Sequence, residues 1–197
     1  QVVWLQEGKI VSYGPPIDVI HEYRDAVAEA DNQRITAEVK TQQGMEPSKE
    51  EEPEGQRWGD KAIEILKTNF LGQDGEQRYT YKCGEPCIIE MKSLAHQSVD
   101  DLVFGIGIIR QDNICCYGTN TYIDKHPVKP VKVGQEITVR FIIDRLNLIP
   151  GEYFLDVAAH DHYGTSYDYQ SRKVKISIYS DSEEAGICRL DHNWKIS

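Results

Sequence analysis

The sequence lacks long apolar runs, an excess of positive charge and a leader-like start. Its apolar stretches are short, such as residues 103–109, whereas a membrane-spanning helix needs about 20. With 22 Lys and Arg against 32 Asp and Glu, the net charge is −10, which argues against nucleic-acid partners because these need basic groups to displace counterions. No basic segment followed by an apolar one marks a secretory signal. Because residue 1 is Gln rather than Met, we expect a fragment of a longer protein.

Motifs for nucleotide, metal and nucleophilic chemistry are also missing. No Gly-x-x-x-x-Gly-Lys-Ser/Thr stretch or Gly-x-Ser-x-Gly elbow occurs. The five cysteines are an odd number, typical of free thiols in a reducing compartment. Cys83 and Cys87 have no second Cys or His pair nearby, so we interpret them as structural. His160 and His162 would point the same way in a strand, but no further ligand motif follows them. We therefore expect no metal and no other cofactor.

The chain divides into three regions that differ in composition and in the spacing of apolar residues. In residues 1–43 a hairpin is predicted at Glu7-Gly8, and apolar residues then recur every three to four positions, which predicts a helix over Ile17–Gln42. Residues 44–55 are rich in Pro, Glu and Gly and predict a flexible acidic linker. Residues 56–197 change to alternating apolar and polar positions, which indicates a separate β domain.

This alternation predicts antiparallel strands with one face on a core. The predicted strands are residues 62–70, 87–95, 103–110, 114–122, 136–144, 151–162 and 173–179, with a last one at 186–195. Short strands without intervening helices indicate an all-β fold, an immunoglobulin-like antiparallel β-sandwich preceded by the hairpin and helix. The Cys…Trp…Cys arrangement of antibody domains is absent, so the likeness concerns architecture only.

Two parts of the chain resemble known families. Residues 2–10, VVWLQEGKI, followed by Gly14-Pro15-Pro16, resemble the tail of an ABC-transporter ATPase domain, after every ATP-contacting motif. The segments FGIGIIR at 104–110, YGTNT at 117–121 and LIPGEYFLD at 148–156 follow in order. They resemble the C-terminal carbohydrate-binding domain of the ATP-binding subunit of bacterial O-antigen polysaccharide exporters of the Wzt type. Together the two resemblances cover nearly the whole chain except the linker.

The resemblance implies a non-catalytic module that recognises the modified non-reducing end of a lipid-linked O-antigen polysaccharide. Recognition would couple completion of the chain to its export by the ABC transporter. The expected partners are the O-antigen polysaccharide, a second copy in a homodimer and the transmembrane subunit of the exporter, with no nucleic acid. The expected location is cytoplasmic, at the inner membrane. ATP would bind only in the ATPase domain missing from this chain.

Sugar sites combine aromatic faces, which stack on C–H groups, with side chains that pair with hydroxyls. The sequence offers six candidates for carbohydrate binding: Tyr117, Asn120, Arg140, Asp156, His160 and Tyr169. Arg140 or Arg110 would receive a phosphate or carboxylate on the terminal sugar. The same side chains also fit an ordinary solvated sheet face, with Arg140 and Asp156 as a cross-strand pair. Gly105 and Gly107 share one face of their strand, which predicts a shallow groove, the close approach of a neighbouring strand or a bulge.

Two other functions fit the same sequence. Because carboxylates are plentiful, a carbohydrate-active hydrolase or lyase on a similar sandwich is one alternative. The other is a domain that only dimerises the transporter or docks a protein. In that reading the strand predicted at residues 186–195, which follows a polar segment, pairs with a second subunit.

Overall fold

The computed structural model describes residues 1–43, 55–182 and 184–196. The predicted linker at residues 44–55 therefore lies outside the described residues, apart from Gly55. Within those residues, a hairpin and one helix precede a two-layer β-sandwich. No helix there is both long enough and apolar enough to cross a membrane.

The N-terminal region is a hairpin followed by a long helix, as predicted. Strands β1 (Val2–Gln6) and β2 (Lys9–Gly14) pair antiparallel. Glu7 and Gly8 both have positive φ, 51° and 77°, and a two-residue turn of this kind matches the twist of the strands it joins. Helix α1 (Pro16–Gln43) begins at a proline, whose fixed φ and missing N–H suit the first helical position.

The remaining strands form the sandwich. In chain order they are β3 (Arg57–Trp58), β4 (Ile63–Gly72), β5 (Thr80–Lys82), β6 (Cys87–Ala95), β7 (Val103–Arg110), β8 (Cys115–Asn120), β9 (Glu136–Ile143), β10 (Gly151–His160) and β11 (Ser166–Tyr179). The larger sheet has the order β3-β11-β10-β7-β8, and β5 pairs parallel with β11. The smaller sheet is β4-β6-β9. The predicted all-β sandwich is confirmed.

The core lies between the two sheets and follows the predicted alternation. Phe104, Leu155 and Val157 of the larger sheet and Phe70 and Ile89 of the smaller one are at most 2% exposed. Burying such side chains stabilises the fold by about 1.5–3 kcal/mol each. The strands therefore hold their outward side chains on a rigid support.

Two further features of the core agree with the sequence interpretation. Tyr153 is fully buried and its hydroxyl donates to the Ile149 carbonyl at 2.9 Å, as expected of a strand-end tyrosine. All five cysteines are free thiols. Burial raises the pKa of Cys87 to about 12, so this thiol is an inert part of the packing.

Three strand predictions need correction. Residues 186–195 form no strand; Cys188 makes only an isolated bridge to Leu148. Strand β10 ends at His160 because the Asp161 carboxylate accepts the N–H groups of Tyr163 and Thr165 and closes a turn. Strand β11 starts at residue 166 rather than 173, because it continues through an irregularity at Arg172, where φ is 51°.

Helix α1 contacts the sandwich through the Asn32 side chain, which forms hydrogen bonds with backbone groups as a neighbouring strand would. The Asn32 side-chain oxygen accepts the N–H groups of Tyr79 and Thr80 at 2.7 and 2.8 Å, and its nitrogen donates to the Thr80 carbonyl at 3.0 Å. The amide thereby satisfies backbone groups at the free edge of β5. Helix α1 therefore contacts the sandwich directly.

Candidate functional site

The outer face of the larger sheet carries a groove of about 450 Å³, here called the outer groove. This volume lies within the range of roughly 300–1,000 Å³ that is common for ligand sites. Five strands contribute to it, and its main lining residues are Trp58, Gly105, Gly107, Asn120, Asp156, His160 and Tyr169.

Glycines form the floor of the outer groove. Gly105 is paired with Ala158, and Gly107 is paired with Asp156 on one side and Gly118 on the other. The pairing is regular at these positions, and the register shift between β7 and β8 falls later, after Ile108. The bulge alternative is therefore wrong for these glycines. Three adjacent strands have no large side chain at this point, which hollows the sheet.

Two stacked aromatic rings form one wall. Trp58 and Tyr169 are partners in register, and their rings stack with centroids 4.1 Å apart at an angle of 12°. Trp58 and Ala158 flank Tyr169 on opposite neighbouring strands. Because Trp58 covers one face of the Tyr169 ring, the other face is turned toward Ala158 and the glycine floor. A flat ring beside an open floor is the arrangement that stacks on the C–H face of a sugar.

Hydrogen bonds hold this wall in place. The Tyr169 hydroxyl donates to Asp156 Oδ2 at 2.8 Å, and the Arg172 N–H donates to Asp156 Oδ1 at 2.7 Å. Burial, followed by the Asp156 carboxylate, raises the pKa of Tyr169, so its hydroxyl stays protonated and remains a donor. The ring is thus oriented before any ligand arrives, which lowers the entropic cost of binding.

Trp58 is anchored through its neighbour Arg57. Arg57 Nε and Nη2 donate to the two oxygens of Asp168 at 2.9 and 2.8 Å. The Asp168 side chain is only 1% exposed and also accepts the Ile65 N–H at 2.8 Å and a Gln170 N–H at 3.0 Å. Since Ile65 lies on β4, this carboxylate ties the two-residue strand β3 to both sheets. It fixes the edge on which Trp58 stands.

The other margins of the outer groove are polar. His160 Nδ1 lies 2.6 Å from the Asp161 carbonyl oxygen. Because a carbonyl only accepts, Nδ1 carries the proton, and Nε2 of the neutral ring is left as an acceptor. A Cβ added at Gly105 would lie 3.5 Å from this Nε2, so His160 borders the floor. Asn120 Oδ1 accepts the Ile123 N–H at 2.8 Å, which leaves its NH₂ group as a donor.

A family model described as the Wzt C-terminal domain matches residues 54–190, well over half of the chain. The chain belongs to this family. A solved structure, "Crystal structure of the C-terminal domain of wzt", aligns with a TM-score of 0.69 at 19% identity, covering 74% of this chain and 90% of that one. This likeness supports the fold.

A curated relative extends the match to the N-terminal region. The "O-antigen export system ATP-binding protein RfbB" of Myxococcus xanthus is 25% identical over 199 residues, which cover 98% of this chain. The chain spans 43% of that relative's length.

In this Wzt C-terminal domain, the sequence candidates fall into two groups. Asn120, Asp156, His160 and Tyr169 come together in the outer groove. Tyr117 and Arg140 do not. Tyr117 is paired with Ile108, on the face opposite to the glycines, and its ring lies 6.4 Å from that of Phe141. The carbohydrate-binding role of these two side chains stays a prediction, and the outer groove does not include them.

The expected arginine partners lie elsewhere. Arg140 is on β9 of the smaller sheet, and its Nε donates to Glu90 at 2.8 Å. The alternative pairing of Arg140 with Asp156 is wrong because the two residues lie in different sheets. Arg110 forms two hydrogen bonds with Asp112 and one with the Gly186 carbonyl. Neither arginine lines the outer groove.

Sequence reasoning missed Trp58 and Gly118. Strand β3 has two residues, too few for alternation to reveal it, and its pairing with β11 arises only in the folded chain. The one signal was a tryptophan beside Gly59, at the boundary between the acidic segment and the first predicted strand. Gly118 lies in the predicted strand at 114–122, on the same face as the two glycines of β7.

Other parts of the described chain fit a site less well. Two larger cavities, of about 610 and 710 Å³, lie where α1 meets the sandwich. They are seams between packed elements, bridged by contacts such as the Arg24 bond to the Ser180 carbonyl. Within the described ranges, no group of three or more His, Cys, Asp or Glu side chains could hold a metal ion. His162 bonds Asp101, whereas His160 bonds a carbonyl, so the histidine pair is divided.

Proposed function

We propose that this chain is the carbohydrate-recognition part of the ATP-binding subunit of an O-antigen exporter. The outer groove binds the modified non-reducing end of a lipid-linked O-polysaccharide. Binding couples completion of the chain to its export. The module performs no chemistry of its own, and any ATP hydrolysis belongs to an ATPase domain outside this chain.

One observation carries the proposal: an oriented aromatic wall stands beside a glycine floor, with hydroxyl-binding groups at its margins. Tyr169 turns a free face toward the floor, and Asn120, Asp156 and His160 surround the same space. Apolar stacking combined with polar pairing is the chemistry that distinguishes a sugar from water. The match to the Wzt C-terminal domain family supports the same conclusion.

The enzymatic alternative has less support. A glycosidase needs two carboxyl groups on either side of the scissile bond. Among the described residues that line the outer groove, Asp156 is the one carboxylate, and both of its oxygens already accept hydrogen bonds. Such a carboxylate is better placed to hold the binding wall than to transfer protons.

The partners and location follow from the same proposal. The relative from Myxococcus xanthus is named as an ATP-binding protein of an O-antigen export system. Residues 1–43 would belong to the ATPase domain, which contacts the transmembrane subunit at the cytoplasmic side of the inner membrane. The Asn32 contact with β5 gives a direct mechanical link between that region and the sandwich.

A homodimer fits the exposed C-terminal segment. Leu190, Trp194 and Ile196 are 72%, 85% and 95% exposed. Large apolar side chains exposed close together along the chain favour a protein interface. Two linked sites would also raise the avidity for a polymer. The molar mass of the chain in solution, measured by light scattering, tests this part: a monomer would contradict it.

The central test is calorimetric titration of the full chain with O-polysaccharide released from the lipopolysaccharide of the source organism. The polymer is used intact and after removal of its terminal residue. We expect binding of the intact form only. Tyr169→Ala should weaken it at least tenfold, because the ring face that stacks on the sugar beside the glycine floor is lost. Tyr13→Ala, an exposed aromatic on the hairpin, is the control and should bind normally.

Two results would contradict the proposal. Equal binding of intact and trimmed polymer would show that the terminal residue is not recognised. A folded chain that binds neither form would favour a domain that only dimerises or docks a protein.

A further inference from the structure

We propose that the outer groove accepts an uncharged terminal sugar and rejects one that carries a phosphate or a carboxylate. This inference rests on the proposed function and specifies the chemical class of the cap. Its basis is the distribution of charge and of hydrogen-bond acceptors around the groove.

The groove has no permanent positive charge within the described part of the chain. Its lining there includes one carboxylate, Asp156, and one histidine, His160, but no Lys or Arg. An anion placed on the glycine floor would lose its water without gaining an opposite charge. Burying an unpaired charge costs several kcal/mol, which is comparable to the whole binding energy of a small sugar.

The hydrogen-bonding groups at the margins also favour a donor ligand. Each Asp156 oxygen accepts one bond and keeps a second lone pair, and His160 presents Nε2 as an acceptor because its Nδ1 faces the Asp161 carbonyl. Sugar hydroxyls donate to both. Phosphate and carboxylate oxygens only accept, so they would meet these groups acceptor to acceptor. The Asn120 NH₂ group is a neutral donor, and a neutral donor binds an anion more weakly than a guanidinium does.

Arg172 is the arginine whose backbone contacts the groove lining, because its N–H donates to Asp156. Its side chain, however, does not line the outer groove. The guanidinium carbon lies 3.7 Å from the centre of the Phe154 ring, and Nη1 donates to Asn113 at 2.8 Å. To reach an anion in the groove, Arg172 would have to give up both contacts. The arginines expected from the sequence, Arg110 and Arg140, are bound to carboxylates elsewhere.

Negative charge also lies just beyond the His160 end. Asp101 bonds His162, and Asp161 accepts the N–H groups of Tyr163 and Thr165. The His162 hydrogen bond lowers the pKa of Asp101, and the Thr165 N–H lowers that of Asp161. Both carboxyl groups are therefore ionised at neutral pH. They add repulsion against an anionic cap approaching from that side.

The first experiment uses saturation-transfer NMR on the full chain with the O-polysaccharide of the source organism. It identifies the sugar residue that contacts the protein, while the Trp58 indole N–H signal reports binding at the groove. We expect the contacting residue to carry no phosphate and no carboxylate. In competition, O-methylated mannose and glucose, which are modified but uncharged, should displace the polymer at least tenfold better than mannose 6-phosphate and glucuronate.

The possible results separate the two proposals. A charged contacting residue that shifts the Trp58 signal would overturn the charge preference and leave the proposed function intact. A polymer and sugars that all leave the Trp58 signal unmoved would overturn both.

A charge-removing variant tests the cause. Asp156→Asn keeps an acceptor for the Arg172 N–H but removes the negative charge. The gap in affinity between O-methylated mannose and mannose 6-phosphate should therefore narrow at least threefold. Asp112→Asn removes a carboxylate outside the groove and should leave the gap unchanged. Equal effects of the two variants would contradict the role of the groove carboxylate.

Discussion

The two sheets of the sandwich present opposite kinds of outer face. On the larger sheet, small residues at the centre are flanked by Trp58 and Tyr169, and the result is a groove. On the outer face of the smaller sheet, Glu90 pairs with Arg140. The next pair along the same face is Lys92 and Thr138. Both faces come from strands that alternate in the same way. Alternation therefore decides which residues face outward, whereas their size decides whether a ligand finds a cavity there.

The largest expected effect concerns the support under the aromatic wall. Asp168→Ala should lower the free energy of unfolding by about 2–4 kcal/mol, because it leaves the buried Ile65 N–H without an acceptor and reduces Arg57 to its exposed pair with Glu64. Urea denaturation measures this. Lys175→Ala removes an exposed pair with Glu152 on the larger sheet and should cost at most about 1 kcal/mol. Similar losses in both variants would mean that Asp168 does not anchor β3.

Much of the fold follows from local sequence chemistry. Period-two alternation predicted the bounds of β6, β7 and β9 to within one residue, because each of these strands buries one face on the core. The positive-φ turn at Glu7-Gly8 and the proline entrance to α1 are also encoded locally. Strands β3 and β5 escape prediction because two or three residues carry no period, and their partners are distant in the chain.

The site was only partly predictable for the same reason. Asp156 and His160 lie two pleats apart on one strand, so their common face can be read from spacing. Whether Tyr169, Asn120 and Arg140 join them depends on strand order, which spacing does not contain. The strand order places Tyr169 and Asn120 on the larger sheet and Arg140 on the smaller one. Trp58 lies at the groove because β3 pairs with β11, and no local sequence pattern predicts this pairing.

A side chain that fills the outer groove should make the outer face of the larger sheet unable to bind glycan. Gly107→Val places a side chain on the floor, where an added Cβ would be in ordinary contact with Asp156 Cβ at 3.5 Å and Ile109 Cδ1 at 3.9 Å. We expect glycan affinity to fall at least tenfold in calorimetric titration. The fold should keep its stability or gain roughly 0.5–1 kcal/mol, because glycine weakens a strand.

The matched control is Thr138→Val on the outer face of the smaller sheet, which should leave binding unchanged. If Gly107→Val binds glycan normally while folding normally, the floor does not contact the ligand. The site would then have to be sought on another surface.

The smallest effect should come from the outer face of the smaller sheet. Arg140→Ala should leave glycan binding unchanged and lower stability by about 1 kcal/mol at pH 7, since Arg140 is exposed.

The Arg140 hydrogen bond lowers the pKa of Glu90 in the folded chain. The ionised pair therefore stabilises the fold above the unfolded carboxyl pKa of about 4 and loses this contribution as the pH falls through the folded value. The stability difference between the native chain and the variant should stay constant from about pH 7 to 5 and shrink below about pH 4 in urea titrations. A loss of glycan binding in Arg140→Ala would instead place the ligand beside the smaller sheet, where Arg140 and Asn120 line a cavity of about 290 Å³.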